Sequence, residues 1–252
     1  MKITVITVCF NSAAHIGDAL TSIDSQRDVS LEHIIVDGAS LDDTLAVVAR
    51  HAAPWRTVVS EADRGIYDAM NKGIARASGD VVGFLNADDL LADSRALHDV
   101  AAEFEADPSL DAVYADLQYV AADDTQRTVR DWRSGHFSKK ALRRGWMPPH
   151  PTFYARRAFL ARVGGFNTRY RIAADYDLML RCLLQPDVSA RWLPRVVVRM
   201  RVGGVSNASV KAMWHKSMED LRILRTHGVG GPGTLLCKML QKLPQFFRRR
   251  PT

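Results

Sequence analysis

The sequence predicts an α/β fold, a mostly parallel central sheet flanked by helices, on three observations. Strand-like runs alternate with amphipathic helices four times before residue 93, the pattern that builds a parallel sheet with right-handed crossovers. Val81 to Leu85 is apolar throughout, as a strand covered on both faces must be. The chain of 252 residues has an ordinary apolar content, enough for one large domain or a domain with an appendage.

Taken in order, Ile3 to Cys9 reads as the first strand, and Asn11-Ser12 offers an N-cap for a helix with Ile16, Leu20 and Ile23 on one face. Leu31 to Val36 is the second strand, ending on Asp37-Gly38. Ser40 with Asp43 resembles a capping box, and Leu45, Val48 and Ala52 continue that helix. Thr57 to Ser60 is the third strand. Ile66, Met70, Ile74 and Ala77 then recur at helical spacing, and Gly79 is placed as a left-handed cap before the buried fourth strand. Beyond Asp93 the rhythm changes. A helix carries Leu97, Val100, Ala101 and Phe104, and Ala112 to Val120 pairs with Thr125 to Trp132 around an Ala-Asp-Asp turn. Pro148-Pro149-His150-Pro151 reads as a rigid extended link, and Thr152 to Tyr154 as a short strand with a short helix after it. A loop at Gly164-Gly165-Phe166, a helix from Ala174 to Leu184 and a strand from Arg191 to Val202 follow.

The tail predicts two helices. Val210, Met213, Ser217, Leu221 and Leu224 mark the first, and Gly228 to Gly233 breaks it. Leu235, Leu236, Met239, Leu240 and Leu243 share a face of the second, with Lys238 and Lys242 beside it and Arg248 to Arg250 after it. Such a helix either lies in an anionic membrane interface or packs on the domain. We therefore divide the chain into 1–205, whose halves are 1–92 and 93–205, and a basic helical tail, 206–252.

Cys9, Cys182 and Cys237 are far apart with no CxxC pair, which argues against a zinc site or a disulfide framework and fits a reducing compartment. Met1-Lys2 leads straight into a strand, and no apolar run approaches the roughly 20 residues that cross a bilayer. The expectation is a cytoplasmic protein, peripheral on the inner face of the membrane if the tail binds lipid. The net charge of +6 hides an asymmetry: residues 1–100 carry −7 and residues 101–252 carry +13. An acidic half can hold a metal, and a basic half can face phosphates, an anionic acceptor or anionic lipid. No nucleic-acid partner is expected. The turn after the first strand has no glycine, so the dinucleotide fingerprint is absent, and no P-loop occurs anywhere. A nucleotidyltransferase, which needs a Gly-rich loop there, is disfavoured on the same ground.

Chemistry concentrates at strand ends. Asn86, Asp88 and Asp89 follow the buried strand, and ligands of open α/β sheets bind at that end. An Asp-Asp pair before a helix is more often a solvated cap, but this position suits Mg2+ or Mn2+ carrying a diphosphate. Asp37 ends the neighbouring strand, where a carboxylate can accept a ribose hydroxyl or base N–H, although Asp before Gly is also a common turn. Asp175 and Asp177 cannot share a helical face. Asp175 can point into the crevice as a general base, while Asp177 is within reach of Arg181 four residues on.

VITVCFNS, IIVDGASLDDT, DRGIYDAMNKGIARASGDVVGFLNADD, HPTFYARR and ADYDLMLR, in that order, resemble a family-2 inverting glycosyltransferase over roughly residues 1–205. The likeness is greatest to bacterial enzymes of colanic-acid-type polysaccharide assembly and of mycobacterial phenolic glycolipid glycosylation. It implies the GT-A (Rossmann-like) fold with a C-terminal acceptor-binding part, a nucleotide-sugar donor, a divalent cation and a glycan or lipid-linked acceptor. By that resemblance Thr7, Cys9 and Asp37 contact the nucleotide, and Asp63, Gly65, Asn71 and Asn86 lie along the donor. Asp88, with Asp89 beside it, binds the metal, Asp175 is the catalytic base, and His150 and Arg181 lie on the acceptor side. Two departures stand out: Asn86 replaces the first Asp of Asp-x-Asp, and Ala174 replaces the Glu of Glu-Asp. They favour the alternative, a non-catalytic sugar-nucleotide-binding or membrane-adaptor protein of the same fold.

Overall fold

Strand β1 (Lys2–Cys9) buries every residue after Lys2, and β4 (Val81–Phe84) buries all four. Such strands belong inside a sheet with helices on both faces. In the computed structural model, which describes residues 1–203 and 210–241, they lie side by side in its parallel half, ordered β3-β2-β1-β4. Here β2 is Ser30–Asp37 and β3 is Arg56–Ser60. Cys9 stands opposite Asp37, Asp37 opposite Ser60 and Ile6 opposite Phe84, so the carboxyl ends finish nearly level. Helices α1 (Ile16–Asp24), α2 (Thr44–Arg50) and α3 (Ile66–Arg76) make the crossovers.

Beyond β4 the sheet continues through β8 (Tyr154–Arg156), β6 (Ala112–Val120), β9 (Ala190–Arg201) and β5 (Leu90–Leu91), with β7 (Thr128–Trp132) paired to β6. Tyr154 of β8 packs its ring onto Gly83, where any Cβ would overlap it. Three strands separate β4 from β5 in the sheet, although only Leu85 to Asp89 join them in sequence. That linker is a turn, with the Asp89 N–H donating to the Asn86 carbonyl at 3.1 Å. A turn cannot stretch across strands laid flat at about 4.8 Å each. The sheet therefore curls, and residues 85–89 cross its mouth. Helix α4 (Ala96–Ala106) covers one face, burying Leu97, Val100 and Phe104 with Ile3, Val81 and Val198. On the other face Met70, Phe84 and Tyr114 pack with residues of α7 (Ala174–Leu183) and α8 (Val210–Thr226).

Several local expectations are corrected. Of the expected face of α3, Met70 and Ala77 are buried and Ile74 packs on the core, while Ile66 is 45% exposed and Tyr67, Ala69 and Gly73 join the inward side. At Gly73 a Cβ would run into Ile6. Gly79 is not in the left-handed region; its Cβ would meet Thr4 Oγ1 at 2.6 Å and the Lys2 carbonyl at 2.9 Å, so close approach requires the glycine. Ser40 builds no capping box, because its hydroxyl donates to Asp37 instead. Asn11 and Ser12 form the preceding turn, with Asn11 at φ 48°, and α1 starts later, at Ile16. His150–Thr152 is one 3-10 turn rather than an extended link, and β8 begins two residues later than expected. The two-residue β5 and the single turn α5 (Lys139–Leu142) were not anticipated. Helix α6 (Arg157–Val163) and α9 (Pro232–Leu240) fall where expected. Leu243, Lys242 and Arg248 to Arg250 lie outside the described residues, and no described helix is long and apolar enough to cross a membrane.

Candidate active site

The turn after β4 is held from two sides. The Asn86 amide donates to Asp89 Oδ2 at 2.9 Å, and Arg201, at the end of β9, donates to the Asp88 carbonyl at 2.9 Å while pairing with Asp18 of α1. Asp89 has no exposed surface. Burial, with the Asp88 charge beside it, pushes its carboxyl pKa well up, against the opposing pull of Asn86 and Arg201. Asp89 thus sits enclosed beneath the turn, and Asp88, half-buried, is the more exposed carboxylate of the pair. A metal role for Asp89 does not fit that burial.

The nucleotide-side residues divide in the same way. Thr7 is fully buried, its hydroxyl 3.0 Å from His33 Nε2, so it offers no surface to a ligand. Asp37 is also enclosed. It accepts the Ser40 N–H at 3.0 Å, the Ser40 and Ser60 hydroxyls, and the Cys9 thiol at 3.6 Å. Burial raises its pKa, and these donors outweigh that, leaving it lowered. The same setting, burial first and then the Asp37 charge, drives the Cys9 thiol far up and keeps it protonated. Asp63 stands over this group: a Cβ on Gly38 would lie 2.5 Å from its Oδ2. Its other oxygen accepts the Gly65 N–H at 2.7 Å, and Gly65, at φ 114°, opens α3. Asn71 reaches away from this pocket, its amide exchanging two hydrogen bonds with the Phe166 backbone at 2.7 and 2.9 Å.

Asp175 lies in the first turn of α7. Its Oδ1 accepts the Tyr176 N–H at 2.8 Å and lies 3.3 Å from the Tyr67 hydroxyl, which donates to the Ile172 carbonyl at 2.8 Å. Tyr67 stacks on Phe166 at 5.3 Å between ring centroids. Phe166 in turn meets Phe84 at 5.2 Å and His150 at 5.6 Å, so α3, β4 and the 164–166 loop share one aromatic wall below Asp175. His150 is almost enclosed; burial lowers its pKa against the raising charge of Asp175. Tyr119, at the end of β6, feels Asp89 and Asp175 together: burial raises its pKa, Arg130 opposes, and both carboxylates add to the rise. Asp89 and Asp175, nearly ninety residues apart in sequence, are thus both near enough to Tyr119 for their charges to act on it. Arg181 turns elsewhere. It pairs with Asp177 at 2.8 Å and donates to the carbonyls of Val163, Gly164 and Gly165, which commits it to the loop rather than to an acceptor.

Four residues that the sequence reading passed over belong to this site. Tyr67 contacts Asp175, Tyr119 feels the charge of Asp175, and Arg201 fixes the Asp88 turn. Glu219 of α8 accepts the N–H groups of Arg171, Ile172 and Ala173 at 2.9, 3.0 and 2.9 Å, clamping the chain just before Asp175. Only Tyr67 lay inside a recognised motif.

Among the described residues no three His, Cys, Asp or Glu side chains converge as a metal cage. The donor set is one half-exposed carboxylate on a fixed turn. That fits Mg2+ or Mn2+, which takes one or two carboxylates and completes its shell with substrate phosphates and water.

Comparison with known proteins bears on the fold and the family. The chain is 33% identical over 212 residues to the PGL/p-HBAD biosynthesis glycosyltransferase of Mycobacterium bovis, covering 82% of this chain and 80% of that one. It superposes on the mannosyltransferase PcManGT of Pyrobaculum calidifontis, solved with GDP-Man and Mn2+, with a TM-score of 0.68 at 22% identity, over 96% of this chain and 70% of that one. TarS 1-349 of S. aureus, solved with UDP-GlcNAc, matches with a TM-score of 0.64 at 20% identity, over 98% and 78%. Both likenesses bear on the fold, which is GT-A. Residues 4–167 match the model of glycosyl transferase family 2, and the chain belongs to that family.

Proposed function

We propose that this glycosyltransferase moves a sugar from a nucleoside-diphosphate donor to an acceptor hydroxyl in one displacement, with Asp175 as general base and Asp88 as ligand of a divalent cation. What supports this reading is the geometry of the two acids: Asp175 opens α7 with its Oδ1 3.3 Å from the Tyr67 hydroxyl, and Asp88 lies on the turn after β4 that Arg201 holds at 2.9 Å. Asp175 takes the acceptor proton as its oxygen attacks the anomeric carbon. The bond from that carbon to the diphosphate breaks on the opposite face, so configuration inverts. A cation bound at Asp88 would stabilise the departing diphosphate as a Lewis acid. Tyr67 and the Tyr176 N–H orient the base, and Asp63 and Gly65 border the donor.

The bound donors of the structural neighbours support a nucleotide-sugar, and the Mn2+ of one supports a divalent cation. The name of the mycobacterial relative supports a lipid-linked or glycan acceptor. Asp175→Asn should lower turnover about 10²–10⁴-fold with donor affinity retained. Asp88→Ala should weaken donor binding in Mn2+ and leave it unchanged in chelator. Full turnover by Asp175→Asn would remove that residue from the role. Absence of donor hydrolysis in the parent protein, with and without Mn2+, would favour the non-catalytic alternative.

A further inference from the structure

Helix α9 packs Leu235 on the core but turns most of its apolar side outward. A surface helix ordinarily turns its apolar side to the core, yet Leu236, Met239 and Leu240 are 58, 46 and 50% exposed. The one charged residue of the helix, Lys238, is 7% exposed. Its Nζ lies 2.9 Å from Asp220 of α8 and 3.2 Å from the centroid of the Tyr176 ring. Gly145 packs so close that a Cβ there would fall 2.9 Å from the Lys238 Cα. The expectation that Lys238 flanks the apolar face, on lipid phosphates, is thereby corrected. The inward side of α9 is fully explained by these contacts; the outward leucines are not.

Cations frame those leucines. The Thr234 hydroxyl donates to the Arg143 carbonyl at 3.1 Å and the Gln241 amide to the Arg144 carbonyl at 2.8 Å, so both ends of α9 are tied to the segment after α5. Arg143 and Arg144 are exposed there, as are Lys139 and Lys140 on α5 itself. The sequence after α9 adds Lys242 and Arg248 to Arg250. An exposed apolar strip tied to a segment of exposed cations is a membrane-interface pattern.

We propose that α9 and the α5 segment together dock on an anionic lipid bilayer, with Leu236, Met239 and Leu240 at the acyl boundary and Arg143 and Arg144 on lipid phosphates. A second copy of the chain is the poorer occupant, because a two-fold contact centred on this strip would bring the same cations together. The inner side of α9 rests on Tyr176, next to Asp175, so docking would hold the mouth beside the bilayer and place the chain peripherally on the inner face of the membrane. This goes beyond the transfer reaction and does not depend on it.

Co-sedimentation of the full chain with vesicles tests it. Phosphatidylglycerol–phosphatidylcholine vesicles should pellet the protein at low salt, and pure phosphatidylcholine vesicles should not. Leu236→Ser with Leu240→Ser should abolish pelleting. Arg143→Glu with Arg144→Glu should weaken it on the order of 25-fold or more, since each cation near an anionic surface is worth about fivefold. Both variants should keep the parent's circular dichroism and its donor hydrolysis in solution, which separates this proposal from the catalytic one. Failure of the parent to pellet, or equal pelleting with neutral vesicles, overturns it. So does concentration-dependent dimerisation that Leu236→Ser abolishes, which would make a second copy the occupant.

Discussion

Glu32 shows what one side chain secures in this fold. From β2 it accepts the Ser78 N–H at 2.8 Å and the hydroxyls of Ser78 and Thr4, joining three segments below the sheet. Burial raises its pKa, but the Ser78 and Thr4 donors and the Lys2 charge prevail and bring it down from 4.5 to about 2. A depressed carboxylate contributes stability above its unfolded pKa and loses it as pH falls through the folded one. Acid unfolding should therefore steepen between pH 4.5 and about 2. In Glu32→Gln that part of the slope should vanish; an unchanged slope in urea titrations across this window would refute the assignment. Asn86 makes a second point at this scale. An Asp in its place would set a carboxylate against Asp89 Oδ2, beside Asp88, whereas the amide donates to it. The departure from Asp-x-Asp thus suits a turn whose second acid is buried.

At the scale of elements, the position of α7 depends on α8. Glu219 holds three successive N–H groups, His227 reaches Asp177 at 2.9 Å, and Asp220 carries Lys238 against Tyr176. The described part of the tail, α8 and α9, thus packs against the helix that carries Asp175, which is one of the two arrangements the sequence left open. Glu219 is a positioning residue: it touches no reacting atom but fixes the loop that aims Asp175. Misplacement by about 1 Å can cost up to about 10²-fold in rate. Glu219→Ala should accordingly lower kcat by up to about that factor with donor KM little changed, assayed well below the Tm, and Glu219→Gln should recover part of it. A lowered Tm with kcat intact would make Glu219 merely structural.

Across the whole molecule, the curl of the sheet creates the mouth. Because β5 closes against β9 and Ser22 of α1 accepts the Leu91 N–H at 3.1 Å, the Asp88 turn is strung between two parts of one sheet. A ligand that binds only the folded chain stabilises it by about 2.7 kcal/mol at a hundredfold excess over Kd. That is roughly 5–10 °C in Tm for a chain of this size. Among UDP-, GDP- and dTDP-sugars, with and without Mn2+, the true donor should give such a shift and the others much less. No shift with any of them would count against a preformed donor site.

How much was legible in the sequence follows from how local each signal is. Burial on both faces writes itself as an apolar run, so β1, β2 and β4 and the strand ends carrying Asp37 and Asp88 could be read directly. Helical spacing likewise gave α7 with Asp175 at its start. What tertiary structure alone decided was direction and partnership. Periodicity counts apolar residues but not the space opposite them, so α3 buries Met70 and Ala77 as expected but leaves Ile66 exposed and packs Gly73 against Ile6. A charge can be solvated or enclosed, and only packing put Asp89 under its turn, Arg181 on a loop and Lys238 inside α9. Glu219 and Arg201 reach the site from far along the chain, and no local pattern records contacts made across such separations.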